Sequence, residues 1–415
     1  MTVHWSLAAV TVAARVLSLL SGLLLLPVLA LAGVETVVDG IPHVSNADAP
    51  SGGHQTLLLQ EEWRLGGGEE DLFGRISTVL TGDDGRIYLF DRGFDQIHVV
   101  SPDGTLVHSY KCKGEGPGEA SDPQDLLFMP DGTLGIVDRF PGKIVKIALD
   151  GTPAGTVRPM ADPDEPSGFL GMYAAIGRAG SLVVMQFNSF EEPAEQTRNV
   201  SLSGYDLEGR RTARYAELEY SWEYSDLVIR EIEEDWIWGR WTVTRDGRIL
   251  APRGRNDYVI EIFEPDGSLA RVFSRDYEPV RRDRARKQEV KERKELGFAR
   301  QLPHKLRYVA EDVERAVIAI HGADDDSIWI LTSAGRVDRP AGVLMTWDVF
   351  DAAGHFVKQV DLAGPGDPDE DRFHFSGHDA LIRVSSPGDE EAVEIFRYAL
   401  VDEEQGRQTD TPSDH

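Results

Sequence analysis

The chain has 415 residues, 41% of them hydrophobic, with 41 glycines and 22 prolines; this suits a turn-rich globular protein and excludes general disorder. A formal charge of -28 repels phosphate, which excludes nucleic acid and anionic membrane as main partners. The single cysteine, Cys112, excludes an intramolecular disulfide, so stability has to come from packing, and Cys112 itself reads as an inert structural thiol.

Residues 1–32 read as a signal peptide. A weakly basic start with His4 and Arg15 precedes an apolar run over 16–26, then Pro27 and the small-x-small cleavage site Ala30-Leu31-Ala32. Cleavage would deliver the protein to the periplasm or the medium. The alternative is membrane anchoring by an uncleaved leader, because Arg15 is the sole charge in that apolar stretch. Residues 33–54, rich in Gly, Pro, Ser and Asp without periodicity, are expected as a flexible linker, and 403–415 as a disordered acidic tail. The folded unit is expected over 55–402.

Within it a turn signal returns in pairs about twenty residues apart: Asp84-Gly85 with Asp103-Gly104, Asp131-Gly132 with Asp150-Gly151, and Asp246-Gly247 with Asp266-Gly267. Asp-Gly between alternating apolar runs marks a tight hairpin, expected here as type I′ with positive φ at both central positions. Four short β-type runs flank each pair, over 76–80, 87–90, 97–100 and 106–110 in the first unit. Four strands recurring every 40 to 50 residues or so mark propeller blades. Five full units begin near Arg75, Gln124, Met172, Arg240 and Arg315, and a sixth over 373–398 is short of a strand. Residues 55–65 can supply it, closing the last blade with the N-terminal strand. The fold class is therefore all-β, a six-bladed β-propeller of four-stranded blades, with one helical insertion at about 281–315 between the fourth and fifth.

Gly114-Glu115-Gly116-Pro117-Gly118-Glu119, followed by Asp122-Pro123 and a strand ending in Pro130-Asp131-Gly132, resembles the inter-blade signature of NHL-repeat and TolB-like six-bladed propellers. Exported bacterial members of unassigned function are the nearest in kind. Gly66-Gly67-Gly68-Glu69 and Gly364-Pro365-Gly366-Asp367 are degenerate echoes, and the middle blades lack the signature. The resemblance implies a fold and no chemistry.

Antiparallel succession puts every tight Asp-Gly turn on one rim and the long segments 159–169, 187–199, 219–239, 275–315 and 364–372 mostly on the other. On that elaborated rim, Trp222, Tyr224, Trp236 and Trp238 stand among carboxylates, a setting for a cation, a sugar or a protein hot spot, or for loop packing alone. The inner-strand starts contribute Arg75, Arg240, Arg315 and Arg372, which suit an anion at the channel mouth, or rim salt bridges. The basic helix within 281–315 is expected to pair with the chain's own acidic loops and to lie on the elaborated face through Leu296, Phe298, Leu302 and Leu306. His374 and His378, with His321 one blade earlier, could hold a metal if the imidazoles converged, but their strand-and-turn setting with an internal glycine favours packing or exposure; Asp91 and Asp138 are expected to tie loops down.

No catalytic fingerprint is present, and neither a metal nor a cofactor is expected. Two functions stay open. One is an exported monomeric scaffold that binds a protein, peptide or glycan on its long-loop face. The other is a lactonase-like hydrolase or lyase acting at the channel mouth, which rests on fold analogy alone.

Overall fold

The computed structural model describes residues 33–68, 73–160, 168–302, 304–385 and 392–403; the segment 1–32, expected as a signal peptide, and all but the first residue of the expected tail over 403–415 lie outside the described residues. In chain order the chain forms β1 (Val34–Val38), β2 (Ile41–Asn46) and β3 (His54–Gly66), then a first antiparallel blade of β4 (Ile76–Thr81), β5 (Ile87–Asp91), β6 (Gln96–Val100) and β7 (Leu106–Lys111). The second is β8 (Pro123–Phe128), β9 (Leu134–Asp138), β10 (Lys143–Ile147) and β11 (Pro153–Val157). The third, of longer strands, is β12 (Phe169–Arg178), β13 (Ser181–Glu191), β14 (Glu195–Tyr205) and β15 (Arg211–Glu223). After β16 (Leu227–Arg230) and the single-turn helix α1 (Glu231–Glu234) comes the fourth, β17 (Thr242–Val243), β18 (Ile249–Pro252), β19 (Val259–Phe263) and β20 (Leu269–Arg275). Helix α2 (Arg284–Ala299) and β21 (Leu306–Val309) precede the fifth, made of β22 (Val317–Gly322), β23 (Ile328–Thr332), β24 (Val343–Phe350) and β25 (Phe356–Ala363), with helix α3 (Ser333–Val337) between its second and third strands. The sixth has β26 (Arg372–Phe375), β27 (Ala380–Val384) and β28 (Glu394–Asp402), and β3 pairs antiparallel with β28 as its outermost strand. The N-terminal closure expected from the missing strand is therefore present.

Alternation along the second strand of each blade makes the ring. In β5, Ile87 and Leu89 pack against Ile382 and Val384 of the sixth blade, while Tyr88 and Phe90 face Leu134 and Ile136 of the second. Successive residues of a strand point to opposite faces, so a fully apolar second strand serves two neighbours at once. The same division recurs around the molecule, giving a separate buried cluster between every adjacent pair of blades, the sixth and first included. Each fully buried aliphatic side chain contributes about 2 kcal/mol. Cys112 belongs to the cluster between the first two blades, where burial pushes its thiol up to about 12, well away from reactivity.

The tight turns lie where expected but are of another type. Gly85 donates to the Gly82 carbonyl and Gly82 to that of Arg86, and only the glycine has positive φ, at 77°. This is a type I turn closed by a left-handed glycine, one residue longer than a two-residue hairpin loop. Asp84 caps it by accepting from the Arg86 N–H at 3.0 Å. True two-residue turns with consecutive positive φ occur instead at Asp39-Gly40 and Ala179-Gly180.

The segment 33–54, expected as a flexible linker, is instead ordered as a strap. Its hairpin β1–β2 pairs parallel to β20 on the outer edge of the fourth blade. Asn46 then donates to the Ser274 and Gly354 carbonyls and accepts from the Phe356 N–H, joining the fourth blade to the fifth. The first half of β3 pairs parallel with β25 before the strand completes the sixth blade. Local composition missed this because the pairing partners are more than 200 residues away, as with Asn46 and Ser274 at a separation of 228. Among the described residues no helix is long and apolar enough to cross a membrane.

Candidate functional site

Strand polarity places the starts of first and third strands, and the ends of second and fourth strands, on the elaborated rim. In the third blade these strands outrun their neighbours: segments 187–199 and 219–223, expected as loops, continue β13, β14 and β15 in one antiparallel register. Their projecting ends, the 139–140 turn of the second blade and the end of the insertion enclose a cleft of about 520 Å³. Its walls carry Phe140, Phe169, Tyr173, Phe187, Trp222 and Phe298.

The rings are mutually braced. Phe140 lies 4.7 Å from Phe169 and 6.2 Å from Phe187, centroid to centroid, and Tyr173 is 5.2 Å from Phe187. Gly171 makes that arrangement possible, since a Cβ there would fall 2.2 Å from the Phe187 ring. Phe169 stays 52% exposed at the lip. From the insertion, Phe298 meets Trp222 edge-on at 6.2 Å, and together with Leu302, Leu306 and Tyr308 it forms a small core over Leu227 and Ile229.

The sequence candidates divide. Trp222 is a wall of the cleft, and the Arg198 guanidinium lies 3.8 Å above its ring. Tyr224 stands just outside it, stacked on His304 at 4.5 Å and donating its hydroxyl to Glu191 at 2.6 Å. Trp238 supports the site from beneath by an edge contact with Tyr173 at 4.7 Å. Trp236, only 8% exposed, belongs to the core between the third and fourth blades and is not part of the cleft lining.

The four arginines do not form one ring. Arg240, 1% exposed, is bound to the carboxylate and carbonyl of Asp235 and to the Trp236 carbonyl, and Arg315 pairs with the same carboxylate at 3.3 Å. Arg240 is part of a buried network, which Arg315 joins from a more exposed position, in which Arg255 reaches Glu231 at 2.6 Å and Asp235 at 3.2 Å, and Arg282 reaches Glu231 and Glu314 at 2.7 Å. Burial would raise the Glu314 carboxyl, but the Arg282 and Arg286 guanidiniums overcome it and hold it at about 2. Arg75 and Arg372 do converge. The Arg372 guanidinium donates to the Ile76 carbonyl at 2.9 Å, and the Arg75 carbonyl accepts from the Arg92 N–H at 2.9 Å. Burial, then the Arg75 charge, lowers the affinity of Arg92 and Arg372 for their protons.

The basic insertion pairs with the chain's own acids as expected, through Lys294 with Glu234 at 2.8 Å and Arg286 with Glu314 at 3.1 Å. Leu296, expected on its packed side, is 57% exposed. Asp91 accepts from the N–H groups of Gly74, Arg75, Gly93 and Phe94, and Asp138 from those of Ser121 and Asp122, so each ties a blade link to a turn. Of the residues after them, Arg139 lines the cleft and Arg92 donates to Gln124 at 3.0 Å; the repeated Asp-Arg pair is the sequence signal for both. His321 stacks on Phe375 at 4.3 Å, and among the described residues no group of three or more His, Cys, Asp or Glu is placed to hold a metal ion.

Residues 64–160 match a family model described as a 6-bladed beta-propeller. No curated protein matches the chain. Similar solved structures include the virginiamycin B lyase of Staphylococcus aureus, 11% identical over 82% of this chain and 99% of that one, with a TM-score of 0.37. Regucalcin of Agrobacterium tumefaciens, a calcium-binding protein, is 11% identical over 84% and 96%, with a TM-score of 0.42. A Bacteroides fragilis protein named as a candidate for export is 10% identical over 86% and 99%, with a TM-score of 0.46. By blade topology and by the family match, the chain is a six-bladed β-propeller.

Proposed function

We propose that this chain is an exported binding protein whose long-loop face holds a ring-bearing ligand, either a small molecule or an aromatic side chain of a peptide, in the cleft of the third blade. The observation that supports this reading is the cleft itself: about 520 Å³ walled by six aromatic residues. Pockets for small ligands commonly span roughly 300–1,000 Å³ and combine apolar walls with a few placed polar groups. Here Ser189, Gln196 and Gln301 supply uncharged polar atoms among the rings.

Saturation-transfer NMR with a library of aromatic and aliphatic fragments tests the reading. Aromatic fragments should bind the wild type and lose binding to Phe169→Ala, a change at an exposed position that leaves the fold intact. Equal binding to both proteins, or an absence of aromatic hits, would remove the cleft as the site.

A further inference from the structure

The cleft lining contains three charged side chains, Arg139, Glu191 and Arg198, and they are not equivalent. Arg139 lies over the Phe140 ring at 4.8 Å and is neutralised by Asp122 at 2.7 Å. Glu191 is engaged on both oxygens, one accepting from the Tyr224 hydroxyl and the other from the Gln196 amide. Arg198 donates its Nε–H to Gln196 at 2.7 Å and stacks between Trp222, at 3.8 Å, and Phe187, at 5.4 Å. Among the described residues no carboxylate stands within 4 Å of it.

In a chain with 71 acidic and 43 basic residues, an arginine without an acid partner is unexpected on statistics, and here an acid lies in the same lining. The Glu191 carboxylate is instead bound to the amide that orients the arginine. Tyr224, Glu191 and Gln196 thus form a relay that positions Arg198 without satisfying its charge, and the stacked rings hold the guanidinium plane. The Tyr220 hydroxyl is also hydrogen-bonded to this guanidinium, whose remaining terminal N–H groups can donate to a carboxylate.

We propose that the ligand of this cleft is an aromatic carboxylate, with its ring among Phe140, Phe169 and Phe187 and its carboxylate on Arg198. The proposal deepens the reading of the cleft as the binding site and rests on it. Glu191, Gln196 and Tyr224 are positioning residues.

The test uses two probes differing only in charge, indole-3-acetate and indole-3-acetamide, titrated calorimetrically against the protein, wild type and Arg198→Gln. The wild type should bind the acid at least tenfold more tightly than the amide, and Arg198→Gln should abolish that preference. Glu191→Gln should weaken the acid alone. Equal wild-type affinities for acid and amide, or a preference that survives Arg198→Gln, would overturn the anion assignment while leaving the cleft as the binding site. Failure of both probes to bind would remove both.

Discussion

The first two blades and the third are built from the same four-stranded unit and put to different uses. In the first two, strands of five or six residues end at the turns that join them, and their polar side chains close loops: Asp91 and Asp138 bind links, Asp84 and Asp131 cap turns. These blades fall within 64–160, the part that matches the propeller family model. In the third, β13 and β14 run eleven residues each and β15 thirteen, so their ends leave the ring and carry aromatic and charged side chains to the cleft. The insertion then supplies the opposite wall. Inter-blade faces are filled from two neighbours, whereas the strand extensions are only partly covered, and a cleft forms where that packing ends.

The comparison breaks if the ring does not depend on its regular parts. Deleting 54–66 removes a strand paired with both β25 and β28, and should abolish cooperative unfolding, read by circular dichroism during a thermal melt. A deletion variant that melts cooperatively would show that closure is dispensable.

A smaller effect should separate insertion from ring. Glu231→Gln leaves Arg255 and Arg282 buried beside a neutral group, a change that costs about 3–5 kcal/mol in chemical denaturation. A loss under about 1 kcal/mol would mean that the network is not a clamp.

The regular blades should also reveal themselves by pH. Burial raises the Asp91 carboxyl, but His98 and the surrounding N–H groups outweigh it and bring it from 3.8 to about 2. A depressed carboxyl contributes stability that is complete above about pH 4 and lost as pH falls through about 2, here on the order of 2 kcal/mol. Asp91→Asn should lose that amount at pH 7 and converge with the wild type near pH 2. A gap that persists at pH 2 would assign the loss to packing.

The smallest effect on stability belongs to the site. Phe169→Ala, at an exposed position, should change unfolding free energy by no more than about 0.5 kcal/mol while weakening aromatic ligands at least fivefold. The converse pairing would place Phe169 with the ring rather than the cleft.

Much of the ring was legible because its requirements are local. A left-handed turn position needs glycine whatever surrounds it, so Gly85, Gly104, Gly132 and Gly151 mark the hairpins, even though the loop proved a residue longer than expected. The missing strand of the sixth blade was countable, and 55–65 had the apolar content to supply it. The strap over 33–46 was not legible, because its strands depend on the edge of β20 and not on their own composition.

The site was legible only in outline. Its rim followed from strand polarity, and Trp222, Tyr224 and Trp238 are in or around the cleft. Polar runs such as Glu195-Gln196-Thr197-Arg198 do not alternate as an ordinary half-buried strand does, because these half-buried side chains meet other polar groups and ring faces rather than an apolar core, so the sequence pattern of the extended hairpin is that of a loop. What the sequence alone determined is therefore whatever a residue decides with its immediate neighbours: blade count, turn positions, the order of rims and the need for a closing strand. Which charge meets which carboxylate was decided by tertiary structure. Arg282 finds Glu231 across 51 residues and Arg255 finds it across 24, whereas Arg198 finds rings and, among the described residues, no acid. Electrostatic pairing depends on distance in space, and the one-dimensional order of the chain does not contain it.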